Sequence, residues 1–391
     1  MNNALTFGKF LLPADKEVFR TWPVIACDQY TSSPEYWDNE RVRIGGAPST
    51  LGLICPEAFL SDSAKITENI ARKSREYLGG LLREYDGAVL VKRTVADSVR
   101  YGLVCLADLE YYDYMSSGSA IRATEGTVLD RIPPRLAVRK ASALDVSHVI
   151  CLIDDPKNTV IEPLIGQGEP LYDADLGKAG RLEGRLVRDV SGVSAALAAL
   201  GAEAEESGRP FVLVGDGNHS LAAAKALYEE YKKAGDSRAE NARYALVEVE
   251  NLRSEGVAFH PIHRIIYGGD VTDALTDALT GEGKVGLCTA EGIKYIPAPA
   301  DAAQAYKSVQ AALDKYLSEH SEAKIDYIHG EGELLRLCAE NKACGVLMPS
   351  LDKSGLFAYV AENGVLPRKS FSMGEADEKR FYMECRKISD V

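Results

Sequence analysis

One stretch of this chain, FVLVGDGNHSLAAAKALYEEYKKAG at residues 211–235, constrains its fold more than any other. Phe211 to Val214 form a short apolar run, which is the pattern of a strand covered on both faces. From Leu221 onward, apolar residues recur at three- and four-residue spacing until Gly235, as in an amphipathic helix that ends at a glycine. The stretch predicts a strand, a turn and a helix, an arrangement typical of mixed α/β proteins.

The turn of this unit is the first candidate site. Its residues are Gly215, Asp216, Gly217, Asn218, His219 and Ser220. A helix start has unpaired N–H groups and a partial positive charge, which together favour phosphate or carboxylate, and glycines let a ligand approach the backbone. Helix capping by Asp216 or Asn218 is the alternative interpretation. His219 favours the anion site, because capping needs no imidazole and phosphate binding can use one.

Composition excludes several classes of protein. The 391 residues are 46% hydrophobic and 26% charged, which is ordinary for a globular chain of two or three domains or of one core with a satellite. The net charge of −13 disfavours nucleic acid and anionic membranes as partners. No leader-like start or 18-residue apolar run occurs, so we expect a cytoplasmic protein. Eight cysteines lie scattered without CxxC pairs, and we expect buried thiols rather than zinc ligands or disulfides.

Strand-like and helix-like segments alternate from Trp22 to Asn251, and a second, shorter series follows, with a helix near Ala302–Glu319. This order predicts a mixed α/β (α+β) fold. We place a core at residues 1–251 and a smaller α/β unit, with a C-terminal lid segment, at residues 252–391.

Two further polar clusters lie before residue 130. The segment VIACDQYTSSPEYW ends an apolar strand at Asp28, and strand ends of α/β sheets are common ligand sites, although a hydrogen-bonded turn is the alternative. The segment IRATEGT places Arg122, Glu125 and Thr127 just before a helix. A helix cap with a surface ion pair explains these three residues equally well.

Two more clusters lie in the C-terminal part. FHPIHRIIY places His263 and Arg264 inside an apolar run, which indicates either an anion contact or a satisfied core pair, whereas the lack of a further ligand pattern disfavours zinc. LPRKSFS carries Arg368, Lys369 and Ser370 in a mostly acidic tail. These residues could close over a phosphorylated substrate, or they could form a solvated loop. The usual P-loop, dinucleotide-binding and kinase motifs are absent from the sequence, so a phosphate site here is of a less common type.

As a set, the pieces ACDQYTS with PEYW, RATEGT, DGNHSLAAA, HPIHR and LPRKSFS, in this order along nearly the whole chain, resemble a bacterial family known as domain of unknown function 1015. That family is distantly similar to free-serine kinases of the ParB/sulfiredoxin-like fold, whose phosphate-holding turn reads Asp-Gly-His-His-Arg. Asp216, Gly217 and His219 match this turn, while Asn218 and Ser220 replace a histidine and an arginine. The resemblance implies a ParB/sulfiredoxin-like core.

The resemblance also implies phosphoryl transfer to the hydroxyl of free L-serine, giving O-phosphoserine, with pyrophosphate or a nucleotide as donor. The implied partners are therefore small molecules, namely serine or phosphoserine and the phosphate donor. We predict that Glu125 or Asp28 orients or deprotonates the hydroxyl, while His219 and Arg122 contact the donor. Mg²⁺ is the predicted cofactor, with Asp216 as its ligand.

The resemblance leaves a gap at Ser220, where the kinases have a phosphate-clamping arginine, and Arg122, Arg264 or Lys369 is expected to fill it. The other residues assigned to substrate or phosphate are Thr127, Gly215, Gly217, Asn218, Ser220, His263, Arg368 and Ser370. Two alternatives remain at this point: the reverse reaction, phosphoserine cleavage, and a non-catalytic module that senses a phosphorylated or nucleotide ligand.

Overall fold

The computed structural model describes residues 4–26, 30, 33–116 and 118–389, without the side chains of residues 61–64. The chain folds into two compact units. The first contains the chain up to Ala123, then Thr127–Val257, and then everything from Ala376 onward. The second contains Thr124–Gly126 and Ala258–Glu375.

Strands are numbered along the chain. Up to residue 257 they are β1 (Leu5–Thr6), β2 (Gly8–Pro13), β3 (Val24–Ile25), β4 (Leu82–Val95), β5 (Ser98–Asp108), β6 (Ile121–Ala123), β7 (Leu144–Val146), β8 (Ile150–Ile153), β9 (Glu169–Asp175), β10 (Arg181–Val187), β11 (Val212–Asp216) and β12 (Tyr244–Asn251). The second unit has β13 (Phe259–Tyr267), β14 (Gly283–Thr289), β15 (Gly292–Ala298), β16 (Lys324–His329), β17 (Cys344–Leu347) and β18 (Phe371–Met373). The last strands, again in the first unit, are β19 (Phe381–Tyr382) and β20 (Cys385–Lys387).

Helices are numbered in the same way. Those of the first unit are α1 (Pro34–Ile44), α2 (Ser63–Leu78), α3 (Ile132–Ala141), α4 (Ser191–Glu206), α5 (Asn218–Ala234) and α6 (Ala239–Ala242). Those of the second unit are α7 (Thr272–Ala278), α8 (Ala302–Glu319), α9 (Glu331–Asn341) and α10 (Leu356–Asn363).

The main sheet of the first unit has the strand order β6-β11-β8-β12-β5-β4-β2-β20-β7, and β10 and β9 extend it from β4. β11 runs parallel to β6, and β12 runs parallel to β8, but β11 and β8 are antiparallel. The second unit has a sheet in the order β15-β14-β17-β13-β16, in which these neighbours are antiparallel. The predicted mixed α/β class, with a smaller second unit, is confirmed.

The domain division predicted at residue 251 differs from the two units in its details. The change of unit follows Val257, the tail from Ala376 belongs to the first unit, and Thr124–Gly126 belong to the second. Long-range pairing causes both exchanges. β20 pairs with β2 and β7 in the first unit, and the Leu366 N–H donates to the Thr124 carbonyl in the second, at 2.8 Å.

The strand-turn-helix unit positions the candidate turn in the first unit. Val212, Leu213 and Val214 are fully buried in the strand next to the edge strand β6, as their unbroken apolar run predicts. α5 buries Leu221 and Leu227 in the same core. Each such leucine contributes roughly 1.5–3 kcal/mol on burial, so the start of α5 is held firmly against the end of β11.

Most cysteines are buried thiols where the structure describes them, as expected. The described cysteines are all free, and all but Cys55 are buried. Among the described residues, none of the helices has the length and apolar character needed to cross a bilayer.

Candidate functional site

The turn between β11 and α5 depends on Gly217. This residue is the N-cap of α5 and has a left-handed backbone, with φ of 80°. L-residues with a side chain adopt this conformation at a cost, and a Cβ at position 217 would also lie 3.0 Å from Val149 Cα. Glycine is therefore required here for two reasons. Because the N-cap has no side chain, the simple capping interpretation does not describe this turn.

Asp216 is bonded on both carboxylate oxygens. Oδ1 accepts a hydrogen bond from the Gly217 N–H at 2.8 Å, and Oδ2 lies 3.0 Å from Lys379 Nζ. Lys379 is 5% exposed, so this ion pair is shielded from solvent far better than a surface pair. Sequence reasoning missed Lys379. It stands in the charged run EADEKR, which resembles a solvated tail, and only the fold brings residue 379 beside residue 216.

Asn218 and His219 connect the turn to the loop that precedes α3. Asn218 Nδ2 donates to Thr127 Oγ1 at 3.1 Å, and the Val128 N–H donates to His219 Nε2 at 3.1 Å. A histidine nitrogen that accepts a hydrogen bond carries no proton, so the proton of the neutral His219 ring lies on Nδ1. Thr127, which the sequence analysis assigned to the site, is thus in direct contact with the turn.

His148 is the second residue beside the turn that sequence reasoning missed. A Cβ at position 217 would lie 3.4 Å from His148 Nε2, and the ring packs edge-on against Tyr382 with 5.0 Å between centroids. Its Nδ1 is buried and has no hydrogen-bond partner among the described residues. Burial lowers the pKa of His148 to about 4, against the opposing effect of Asp216, so the ring is neutral at pH 7.

Arg122 lies on β6, the strand next to β11, opposite Leu213 in the register. It is half-buried, and burial lowers its pKa. Its Nε donates to the Ser119 carbonyl at 2.9 Å. The guanidinium is thus anchored to the segment that precedes its own strand, one strand away from the turn.

A separate cluster occupies the second unit and is built around Glu125. The Glu125 carboxylate accepts hydrogen bonds from the N–H groups of Lys369 and Ser370, each at 3.1 Å. Burial raises the pKa of Glu125, and the contacts with Lys369 and Ser370 oppose that rise. Lys369 has a left-handed backbone with φ of 56°, which is strained for a lysine, and the two bonds to Glu125 help to hold this conformation.

Arg264 supports the same segment from inside the second unit. It is fully buried, donates from Nη1 to the Lys369 carbonyl at 3.0 Å, and lies over the Tyr306 ring at 4.9 Å. Next to it, His263 Nδ1 accepts a hydrogen bond from the Met348 N–H at 3.1 Å, and burial lowers the pKa of His263 to about 4. In this structure both side chains hold backbone groups, as in a core pair, and only Arg264 Nε among their described contacts is buried without a hydrogen-bond partner.

Arg368 is exposed and donates from Nε to Tyr327 Oη at 2.8 Å, while Ser370 Oγ donates to the Pro367 carbonyl at 2.7 Å.

The predicted site residues therefore fall into two groups. The first unit holds Arg122, Thr127, Gly215, Asp216, Gly217, Asn218, His219 and Ser220. The second unit holds Glu125, His263, Arg264, Arg368, Lys369 and Ser370. Asp28 lies outside the described residues.

Fold and turn together define a mixed α/β protein with a glycine-dependent, charge-lined turn at a helix start. Residues 7–354 match the family model described as "Protein of unknown function (DUF1015)", and the chain belongs to that family. Among curated proteins, none matched the sequence.

Several solved structures are similar to this chain. A conserved hypothetical protein from Pyrococcus furiosus shares 11% identity, with 75% of this chain and 98% of that chain covered and a TM-score of 0.39. SbnI with a C-terminal truncation, from Staphylococcus aureus, shares 12% identity over 69% of this chain and 82% of that chain, with a TM-score of 0.39. A free serine kinase in complex with AMP shares 11% identity over 72% and 90% of the respective chains, with a TM-score of 0.40.

Proposed function

We propose that this protein is a phosphotransferase that acts on the hydroxyl of free L-serine and gives O-phosphoserine. The observation that carries the proposal is the turn at the start of α5. There, a left-handed Gly217 lies between Asp216, which is paired with a buried lysine, and His219, whose ring is fixed by a backbone N–H. The match of Asp216, Gly217 and His219 to the phosphate-holding turn of free-serine kinases gives this geometry its chemical interpretation.

Phosphoryl transfer needs a protein mainly to position the reactants and to neutralise charge on the transferred group. The N-terminus of α5 supplies backbone N–H groups and the positive end of a helix dipole, which suits the donor phosphate. His219 adds a neutral ring whose orientation is set by the Val128 N–H and whose proton is on Nδ1. These groups stand at fixed positions before any ligand arrives, so little reorganisation is needed on binding.

Magnesium fits this turn through Asp216. Protein sites for Mg²⁺ use one or two carboxylates, together with substrate phosphates and water, rather than a complete cage of side chains. Accordingly, a cage of three or more His, Cys, Asp or Glu side chains is not needed, and none occurs among the described residues. When bound, the ion would neutralise charge on the donor oxygens. In this proposal Asp216 would hold it with one carboxylate oxygen.

The residue that activates the serine hydroxyl is proposed to be Glu125 or Asp28. Burial raises the pKa of Glu125, which brings this carboxylate closer to the range of a useful general base. Glu125→Gln keeps the size of the side chain and one acceptor oxygen but removes the base. If Glu125 is the base, this variant loses turnover and keeps donor binding, whereas Asp28→Asn has that effect if Asp28 is the base.

The test is a donor screen. Purified protein is incubated with L-serine, Mg²⁺ and pyrophosphate, ATP or ADP, and phosphoserine is followed by phosphorus NMR. We expect product with at least one donor, and loss of product in Asp216→Asn and His219→Ala with an unchanged circular dichroism spectrum. Asp97→Asn, in the exposed turn between β4 and β5, is the matched control and should keep full activity.

Two other outcomes would refute the proposal in different ways. Donor binding by calorimetry without product would support the ligand-sensing alternative. Release of phosphate from phosphoserine, without synthesis under any donor, would support phosphoserine cleavage.

A further inference from the structure

We infer that Lys379 is a phosphate-binding residue of the turn, and that the segment Ala376–Glu384 is the part of the fold that delivers it. The inference deepens the proposed function, since it assigns the missing cation of the same donor site. It rests on the placement of Lys379 and on the way in which its neighbours are held.

Lys379 is buried and lies directly beside the turn. Its ammonium is 3.0 Å from Asp216 Oδ2, and Asp216 immediately precedes the N-cap Gly217. Lysine is among the residues least often buried, because removing its charge from water is costly. This ammonium can serve a phosphate at the helix start, which already favours anions, once Asp216 no longer neutralises it.

His148 lines the turn on the side of Gly217. Its Nε2 faces Gly217, while its Nδ1 is buried and lacks a hydrogen-bond partner among the described residues. A phosphate held by the turn would therefore meet Nε2, while the unpaired Nδ1 lies inside the protein.

Buried guanidinium groups hold the backbone just before Lys379. Before it, Arg93 Nη2 donates to the Asp377 carbonyl at 2.6 Å and Arg100 Nη2 donates to the Glu378 carbonyl at 3.0 Å. Both arginines are buried and come from neighbouring strands, β4 and β5. A charged C-terminal segment that only needed to be solvated would not require such anchors.

The residue after Lys379 is held through its own side chain. Arg380 is 4% exposed, and its guanidinium pairs with Glu248 at 2.8 Å and with Glu384 at 3.0 Å. Tyr172 completes the cluster through a short hydrogen bond from its hydroxyl to Glu384. With its neighbours fixed on either side, Lys379 is preorganised toward the turn, as a ligand-binding group should be.

Lys379 also explains how the turn can manage without an arginine at position 220. In the ligand-free protein, Asp216 and Lys379 neutralise each other. When a donor binds, its phosphate takes the Lys379 ammonium as a partner and Asp216 becomes available to the metal. The cation expected from Arg122, Arg264 or Lys369 is then supplied by a residue from the C-terminal segment.

Metal-free calorimetry with sodium pyrophosphate tests this inference. Lys379→Met should weaken pyrophosphate binding about 10- to 100-fold, the usual effect of losing a charged hydrogen bond. Asp216→Asn should instead tighten it several-fold, because a carboxylate that competes for the lysine is removed. A purely structural ion pair predicts no such opposite signs. Lys233→Met, at the exposed end of α5, is the matched control and should bind as the wild type does.

The outcomes separate this inference from the proposed function. If the wild type binds pyrophosphate and Lys379→Met binds it equally well, the inference is overturned even if serine is phosphorylated. If Lys379→Met loses binding but no acceptor is phosphorylated, the inference stands and the proposed function fails. If Lys379→Met does not fold, Asp216→Asn decides alone: unchanged or weaker binding overturns the inference. Absence of pyrophosphate binding by the wild type overturns the inference, while the proposed function is decided by the donor screen with ATP and ADP.

Discussion

Removing Arg380 tests the buried charge cluster that positions the C-terminal segment. Its side chain is 4% exposed, and it is paired with two carboxylates that are themselves almost fully buried, Glu248 and Glu384. Arg380→Met leaves two buried carboxylates without their cation. Loss of one partner of a buried ion pair destabilises a protein by about 3–5 kcal/mol, so we expect the free energy of unfolding to fall by at least that amount.

The loss should also depend on pH. Burial raises the pKa of Glu384, and Arg380 opposes that rise, so the pKa rises further in the variant. A carboxyl group whose pKa is higher in the folded state than in the unfolded state stabilises the fold at low pH, and this contribution is lost as the pH rises through the folded-state pKa. The deficit of Arg380→Met should therefore be larger at pH 8 than at pH 5.

Urea unfolding followed by tryptophan fluorescence reports on the first structural unit, which contains Arg380. The chain has two tryptophans, Trp22 and Trp37, and both lie in that unit. The control is Arg188→Met, which removes an exposed pair with Glu169 in the same unit and should change the free energy by about 0–1 kcal/mol. If Arg380→Met resembles this control at both pH values, the reasoning about the buried cluster is wrong.

Three further predictions concern the same unit. Burial raises the pKa of Glu250, with Arg100 opposing the rise, so this carboxyl group makes wild-type stability fall as the pH rises through its folded-state pKa. Glu250→Gln should make that fall less steep, by up to about 1.4 kcal/mol per pH unit, and parallel curves in urea unfolding would contradict it. Gly217→Ala should destabilise the protein by about 1 kcal/mol more than Gly235→Ala. Both glycines have a left-handed backbone, but only at position 217 would an added Cβ contact other atoms, including the Val149 backbone, within 4 Å. Equal losses of stability in thermal melts would refute this steric effect. At position 219, Gln retains an acceptor for the Val128 N–H, whereas Asn retains a donor near the place of Nδ1. If the His219 ring donates to phosphate, His219→Asn should form more phosphoserine than His219→Gln in phosphorus NMR assays. Equal amounts of product would contradict that role.

Local patterns were sufficient to predict the parts of the fold that local physics determines. The helix predicted near Ala302–Glu319 has those bounds, and the strand and helix on either side of Gly217 follow the apolar run and the helical spacing of the sequence. These features depend on residues that are neighbours in the chain.

Features that depend on distant pairing escaped the sequence analysis. Lys379 meets Asp216 across 163 positions of sequence, and its charged surroundings in the sequence match those of any solvated tail. His148 stands in a strand-like context where a core histidine is expected, and only the strand register brings it to Gly217. Arg264 illustrates the opposite case, because a basic residue that suggested an anion contact is fully buried and holds backbone carbonyls.

The most direct measurement of the central claim is a phosphorus NMR time course of the wild-type protein with L-serine, Mg²⁺ and each donor in turn. The account predicts that a phosphoserine resonance grows with at least one donor and fails to grow in a parallel sample of Asp216→Asn. A flat phosphoserine region with pyrophosphate, ATP and ADP alike would contradict it.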